Sequence, residues 1–418
     1  MVTALAATWG IAALAAWGVI LRPWRLPEAV WAVAGAAALV LSGQLPLAAA
    51  FQGIARGTDV YLFLTGMMLL AEVARQEGLF DWLAAQAATH ARGSPTRLFA
   101  LVYLVGTIVT VFLSNDATAV VLTPAVAAVA RTAKAENPLP YLLICSFIAN
   151  AASFVLPISN PANLVIYGAH LPPLLQWLPV FAVPSILSVG ATYAMLRLTQ
   201  RETLCQAISA AVTVPALSPG GGVAACGLLL TAAALLTASA FNWQLGLPTF
   251  IAGVITAGAV LLCTSGSPLP ILRNVSWGVL PLVAGLFVLV EALDRTGLIH
   301  LLARFLRDAA AYSSTAATWA SGIVLAIACN FINNLPTGLL AGTTVQAAHV
   351  PARINDAVLI GVDLGPNLSV AGSLATILWL TVLRREGVEM SAPAFFKLGL
   401  MVMPPALLAA LGALILIH

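Results

Sequence analysis

Charge is what this sequence has least of: Asp, Glu, Lys and Arg make up 8% of 418 residues, and hydrophobic side chains 61%. A soluble domain carries roughly 25% charged residues, so this chain cannot clothe a water-facing surface. Its mean hydropathy is +0.99. The net charge of +3 is scattered over short loops without a basic block, which argues against nucleic-acid binding. Cysteine is scarce too, and Cys145, Cys205, Cys226, Cys263 and Cys329 show neither CxxC nor disulfide-like spacing. They read as small apolar residues. The five histidines form no HExxH or paired ligand set. With no metal-ligand cluster, nucleophile arrangement or paired aspartates, an intramembrane enzyme is not expected, and neither is a metal or another cofactor. No soluble domain is visible.

What is present in quantity is apolar sequence. Runs of 18 or more apolar residues recur along the chain, each enough for the ~20 residues of a spanning helix. Alternating barrel strands are absent, so the fold expected is an all-α polytopic membrane protein whose main partner is the lipid bilayer. Val2–Leu21 lacks a charged leading region and is followed closely by another span, so it reads as the first span rather than a cleaved signal.

Polar islands interrupt this background. Ser114-Asn115-Asp116 lies inside the apolar run 98–131, which is long enough for about one and a half spans and reads as a re-entrant hairpin with the polar group at its tip. Residues 141–167 read as a span broken at Pro157-Ile158-Ser159-Asn160-Pro161-Ala162-Asn163, because two prolines four apart cannot sit in an unbroken helix. The same plan returns downstream, with a hairpin over 319–350 tipped by Asn333-Asn334-Leu335 and a broken span over 357–383 interrupted at Asp363-Leu364-Gly365-Pro366-Asn367. Mixed-charge segments near residues 75–97 and 299–308 read as interfacial helices.

At an offset of 219 residues Glu72 falls on Glu291, Gly78 on Gly297, Phe112 on Phe331, Asn115 on Asn334 and Thr118 on Thr337. The chain therefore divides into a first repeat (1–200), a linker rich in Pro and Gly (201–222) and a second repeat (223–418). About ten spans, five per half, make the repeats insert with opposite orientation. With both termini periplasmic, 13 of the 18 Lys and Arg residues lie on the cytoplasmic side of the inner membrane. Inverted repeats with broken helices are the architecture of secondary transporters working by alternating access.

Four pieces should converge near the midplane. They bring Ser114, Asn115 and Thr118; Ser159, Asn160 and Asn163; Asn333, Asn334 and Thr337; and Gly365, Asn367 and Ser373. These groups suit a small polar solute, and helix amino ends add partial positive charge. No Lys or Arg lies among them. Asp116 and Asp363 are the candidates for proton coupling, since burial favours the protonated form and a change of surroundings can release it. Glu72 and Glu291 sit at span ends and read as interface-facing carboxylates.

The run Phe112-Leu113-Ser114-Asn115-Asp116-Ala117-Thr118-Ala119-Val120-Val121-Leu122-Thr123-Pro124, together with Leu364-Gly365-Pro366-Asn367-Leu368-Ser369-Val370-Ala371-Gly372-Ser373-Leu374-Ala375-Thr376, resembles the ArsB-type arsenite efflux permeases of the ion transporter superfamily. The resemblance covers essentially the whole chain. It implies export of arsenite or antimonite as the neutral trihydroxide in exchange for protons, in some members with a soluble arsenite-stimulated ATPase partner. The superfamily's dicarboxylate carriers have Ser-Asn-Thr at both hairpin tips. The tips here differ, which leaves a sodium- or proton-coupled carrier of another small anion as the alternative.

Overall fold

The computed structural model describes residues 2–168 and 171–417. Met1 and His418, for which a periplasmic location is expected, lie outside the described residues. The chain is all helix and loop, with no strand among the described residues. The first half runs α1 (Val2–Leu21), α2 (Glu28–Leu41), α3 (Leu47–Arg56), α4 (Thr58–Gln76), α5 (Leu79–Ala91), α6 (Pro95–Phe112), a π-helical segment (Ala117–Leu122) continuing into α7 (Thr123–Thr132), α8 (Leu139–Ala151), α9 (Pro161–Tyr167) and α10 (Leu174–Thr199). The second half runs α11 (Pro219–Ala240), α12 (Gly246–Thr264), α13 (Pro268–Asn274), α14 (Val279–Arg295), α15 (Leu298–Tyr312), α16 (Ser314–Ile332), α17 (Asn334–Ala348), α18 (Ala352–Leu364), α19 (Leu374–Arg385) and α20 (Ala392–Ile417).

Divided at the expected linker, the chain has ten α-helices on either side, so that α1–α10 and α11–α20 can be compared rank by rank. Helix α4 packs along α12, and its counterpart α14 packs along α2, so each half lends a helix to the other's flank. Small residues permit the approach: a Cβ at Gly66 would collide with the Thr249 carbonyl of α12, and one at Gly285 with the backbone of Ala32 on α2. The turns between α4 and α5 and between α14 and α15 are made by Gly78 (φ 73°) and Gly297 (φ 82°), a backbone region glycine enters without a Cβ clash.

Seven described helices are long and apolar enough to cross a membrane, or eight if the bent pair α3–α4, which turns by 49°, is one span. Five of the seven (α10, α11, α12, α13 with α14, and α20) are among the ten spans expected from the sequence, and α1, α2, α4 and the two broken spans make up the rest; α6 and α16, which also qualify by length and composition, are the first arms of the expected hairpins. The segment expected as the first interfacial helix is α5, and its Phe80, Ala84, Ala87 and Ala88 are buried. Its counterpart α15 buries only Ile299 and Ala303 and leaves Leu301 and Phe305 exposed. The linker accounts for part of the difference, since it runs along the first half, where Ser209 donates its N–H to the Ala133 carbonyl (2.7 Å) and Ser218 bonds Glu77.

Candidate functional site

Both hairpins turn on an asparagine-containing tip. In the first, α6 stops at Phe112, and the Ser114 hydroxyl accepts from the Ala117 N–H (3.3 Å) while Asn115 Oδ1 accepts from the Asp116 N–H (2.9 Å). Thr118 faces inward and bonds Thr110 of α6 at 2.8 Å, pinning the two arms together. The chain re-enters helix through a π segment because Pro124 supplies no N–H and its ring crowds the carbonyl four residues back. The equivalent position in the second hairpin is Thr343, and α17 is regular.

In the second hairpin Asn333 occupies φ 79°, ψ 152°, a region close to glycine-only. Its side chain holds it there: Oδ1 accepts from the Leu335 N–H at 3.4 Å, and Nδ2 donates to the Ala371 carbonyl at 3.4 Å. Thr337 donates back to the Asn333 carbonyl (2.6 Å). Asn333→Ala should lower stability by about 1–2 kcal/mol through loss of the cap at a strained position, whereas Asn333→Gly, which relieves the strain, should cost a few tenths at most. Thermal unfolding of the purified protein distinguishes the two, and equal losses would remove backbone strain from the account.

The breaks are closed by side chains bonding to backbone. Asn163 Nδ2 donates to the carbonyls of Ser153 (2.9 Å), Leu156 (3.3 Å) and Pro157 (3.3 Å), and the Ser159 hydroxyl donates to the Val111 carbonyl at the end of α6 (2.9 Å). Asn160 caps α9, accepting from the Ala162 N–H (3.0 Å), and Ser373 caps α19, accepting from the Thr376 N–H (3.1 Å). Gly365 lets the second break lie against α16, where a Cβ would collide with the Ala326 backbone.

The two breaks are also bonded to each other. Asn160 Nδ2 donates to Asp363 Oδ1 at 2.7 Å. Asn150, which the sequence reading did not single out, donates to Asn367 Oδ1 (3.0 Å) and Thr376 Oγ1 (3.3 Å) and accepts from Ser373 (3.4 Å), while Asn367 Nδ2 donates to the Phe147 carbonyl (3.0 Å). An amide side chain in the apolar run 141–151 was the available signal for Asn150.

These elements surround a central cavity of about 10 Å³, lined by Leu64, Val279 and the starts of four helices: Asn115 and Asp116, Asn160 and Pro161, Asn334 and Leu335, and Ser373 with Leu374 and Ala375. That is room for about one water. Beside it lies a vestibule of about 540 Å³, with Val120, Val121 and Pro124 on one side, Leu378, Thr381 and Val382 on another, and Glu72, Arg75, Arg385 and Glu386 also in its wall. Asp116 lines both spaces and Ser114 the vestibule. The Asp116 carboxyl makes no hydrogen bond or ion pair among the described residues. Of the other residues expected at the site, Thr118, Ser159, Asn163, Asn333, Thr337, Gly365, Asn367 and Asp363 line neither space and hold the frame.

Glu72 and Glu291 are buried and paired, Glu72 with Arg75 through two hydrogen bonds (2.6 and 2.7 Å) and Glu291 with Arg56 (2.7 Å) and Arg295 (2.9 Å). Elsewhere α17 packs along α9. There Gln346 donates to the carbonyls of Ile166 (3.3 Å) and Tyr167 (3.2 Å), and the Tyr167 hydroxyl donates to Asp356 (2.6 Å). Cys145 and Cys329 are buried in the helix packing and line neither space.

A multi-pass helical membrane protein whose helix hairpins and interrupted helices meet around a polar pocket beside a larger vestibule is a membrane transporter. The chain belongs to the citrate transporter family CitMHS, which it matches over residues 12–362. It is similar to the arsenical pump membrane proteins of Yersinia enterocolitica and of Escherichia coli strain K12, at 28% identity in each case over 84% of this chain and 84% of theirs. In fold it is similar to the Alcanivorax borkumensis YdaH transporter, at 17% identity and a TM-score of 0.55, covering 88% of this chain and 86% of that one.

Proposed function

We propose that the chain exports arsenite or antimonite from the cytoplasm in exchange for protons, by alternating access between two inverted repeats, 1–200 and 223–418, in the inner membrane with both termini periplasmic. The observation that carries this reading is the central cavity: helix starts and amide and hydroxyl groups with no Lys or Arg among its lining residues, and one carboxylate, Asp116, at the junction with the vestibule. A neutral polyhydroxyl solute meets amide donors and acceptors there, and the amino ends of α17 and α19 favour oxygen lone pairs. A trianionic solute would meet Asp116 with no compensating cation.

In this reading the vestibule, walled by Arg75 and Arg385, opens to the cytoplasm, and the packing of α17 on α9 seals the periplasmic side. Solute enters from the vestibule and docks against Asn115, Asn160, Asn334 and Ser373 as the central cavity, which has room for about one water here, widens to admit it. Asp116 exchanges its proton with whichever side the pocket faces. The relatives named as arsenical pumps support the solute class, and the reading extends to a soluble arsenite-stimulated ATPase as an additional partner. The family's description as citrate transporters favours one second reading, a sodium- or proton-coupled carrier of a small carboxylate. Everted membrane vesicles under an imposed pH gradient decide between them: accumulation of arsenite supports export, and accumulation of citrate without arsenite replaces it with the second reading.

A further inference from the structure

Between the hairpins and the last helices the correspondence of the halves shifts from 219 to 213 residues, so that the 3-10 turn Pro157–Ser159 matches Val370–Gly372 and α9 starts opposite α19. At this offset Asn150 corresponds to Asp363, Asn160 to Ser373 and Asn163 to Thr376. The hydrogen bonds obey the same correspondence. Ser373 donates to Asn150 Oδ1, and Asn160 donates to Asp363 Oδ1. Each broken span thus reaches from its first arm to the cap residue of the other span's second arm.

Neither donation of Asn150 to a side chain has a counterpart: Asn367, which accepts one, matches Phe154, and the other goes to Thr376. Asn150 Nδ2 donates to Thr376 Oγ1, but the matching atoms in the other half, Asp363 Oδ2 and Asn163 Oδ1, are both acceptors. Both are buried, and both are without any hydrogen-bond partner. Turning the Asn163 amide over does not help, because its Nδ2 is fixed by three carbonyls. A carboxylate and a carbonyl oxygen left bare at zero exposure are each costly.

Among the described residues Asp363 makes no ion pair, and Arg353, the cation on α18 itself, lies ten positions away and donates to Ser314 (3.1 Å). The helices packed against α18 are α8, α9, α16, α17 and α20. Their titratable residues are Tyr141 and Cys145, Tyr167, Cys329, and Lys397, respectively none on α17. Tyr167 is bonded to Asp356, itself a second carboxyl on α18, and Cys329 donates to the Val362 carbonyl. Lys397, the one charged group, is exposed.

We infer that Asp363 carries a resident proton on Oδ2 and shares it with Asn163 Oδ1, completing the second of two symmetry-related locks between the broken spans. One proton satisfies both bare acceptors and removes the buried charge. Asp363 is then a positioning residue: it orients Asn160, which lines the central cavity, and keeps its proton while Asp116 exchanges one. This inference does not depend on which solute is carried.

Asp363→Asn tests it, because the amide's Nδ2 takes the place of the Oδ2–H while its Oδ1 still accepts from Asn160. In the full-length protein labelled with 13C-aspartate, the infrared band of an undissociated carboxylic acid should be present at neutral pH, persist in Asp116→Asn and weaken in Asp363→Asn. Asp363→Asn should keep flux of the transported solute within about twofold of wild type, since both hydrogen bonds remain, and Asp363→Leu should raise KM by about tenfold or more, the factor that corresponds to one lost bond of this strength. The inference is overturned if the acid band is unchanged in Asp363→Asn, if that variant loses flux as completely as Asp363→Leu, or if sodium or potassium raises the melting temperature of the wild type but not of Asp363→Asn, which would place a metal ion between the two oxygens. The band and the melting temperatures are read without solute, so a failure of the arsenite assay leaves them standing.

Discussion

Asp116→Asn should abolish proton-driven accumulation of arsenite in everted vesicles while leaving the protein folded. The carboxyl lines both the vestibule and the central cavity and makes no side-chain hydrogen bond or ion pair among the described residues, so an amide of the same shape disturbs no packing. Surface and cavity-lining exchanges of this kind stay within about 0.5 kcal/mol of wild type in stability. What the amide cannot do is bind and release a proton between pH values on the two sides of a membrane. Uptake under an imposed pH gradient should fall by about tenfold or more, equivalent to ~1.4 kcal/mol or more of lost coupling. Uptake equal to wild type at every imposed gradient would take Asp116 out of the mechanism. The same outcome would move the search to carboxyls that line neither space, of which Asp363 is the most buried.

Asp116 was legible in the sequence because a carboxylate in the middle of an apolar run is expensive wherever it goes, whereas the second hairpin tip, which carries no carboxylate, was read from the offset of 219. The prolines at 157 and 161 placed the first break where the helix is interrupted between α8 and α9. Orientation was not legible. Asn160 and Asn163 are three residues apart in one motif, yet the first lines the cavity and the second turns inward to bond three carbonyls of its own break. Amide side chains satisfy lone carbonyls as readily as solute, and an interrupted helix produces many lone carbonyls at once. Much of the polar chemistry that sequence assigns to a site therefore goes into holding the break open at the right shape. Asn150 escaped notice for the opposite reason: its matching residue, Asp363, lies at an offset of 213 rather than 219, so it falls out of register with the repeat read from the hairpins.

Asn150→Leu should be the most damaging single change to the fold, although Asn150 lines neither space. Leucine matches the amide in branching and heavy-atom count, so it leaves no cavity, although its methyl groups are bulkier than the amide's oxygen and nitrogen and add a packing cost. The larger loss comes from the hydrogen bonds. Without the amide, Asn367 Oδ1 loses its donor, Thr376 loses one and Ser373 loses an acceptor, all in residues that are buried to within 1%. Ser373 and Thr376 still bond each other at 2.9 Å, which limits their share of the loss, but the bare Asn367 oxygen and the residual deficits at the other two should total about 2–4 kcal/mol at 1–3 kcal/mol for each buried group left unmade. The cap of α19 also loses its tie to α8, so transport should fall with stability. Asn150→Gln, which keeps the amide but lengthens its reach, should recover part of each. A Leu variant that melts with the wild type would mean that the bonds of Asn150 contribute nothing to the fold, leaving the Asn160–Asp363 bond and packing to hold the two broken spans together.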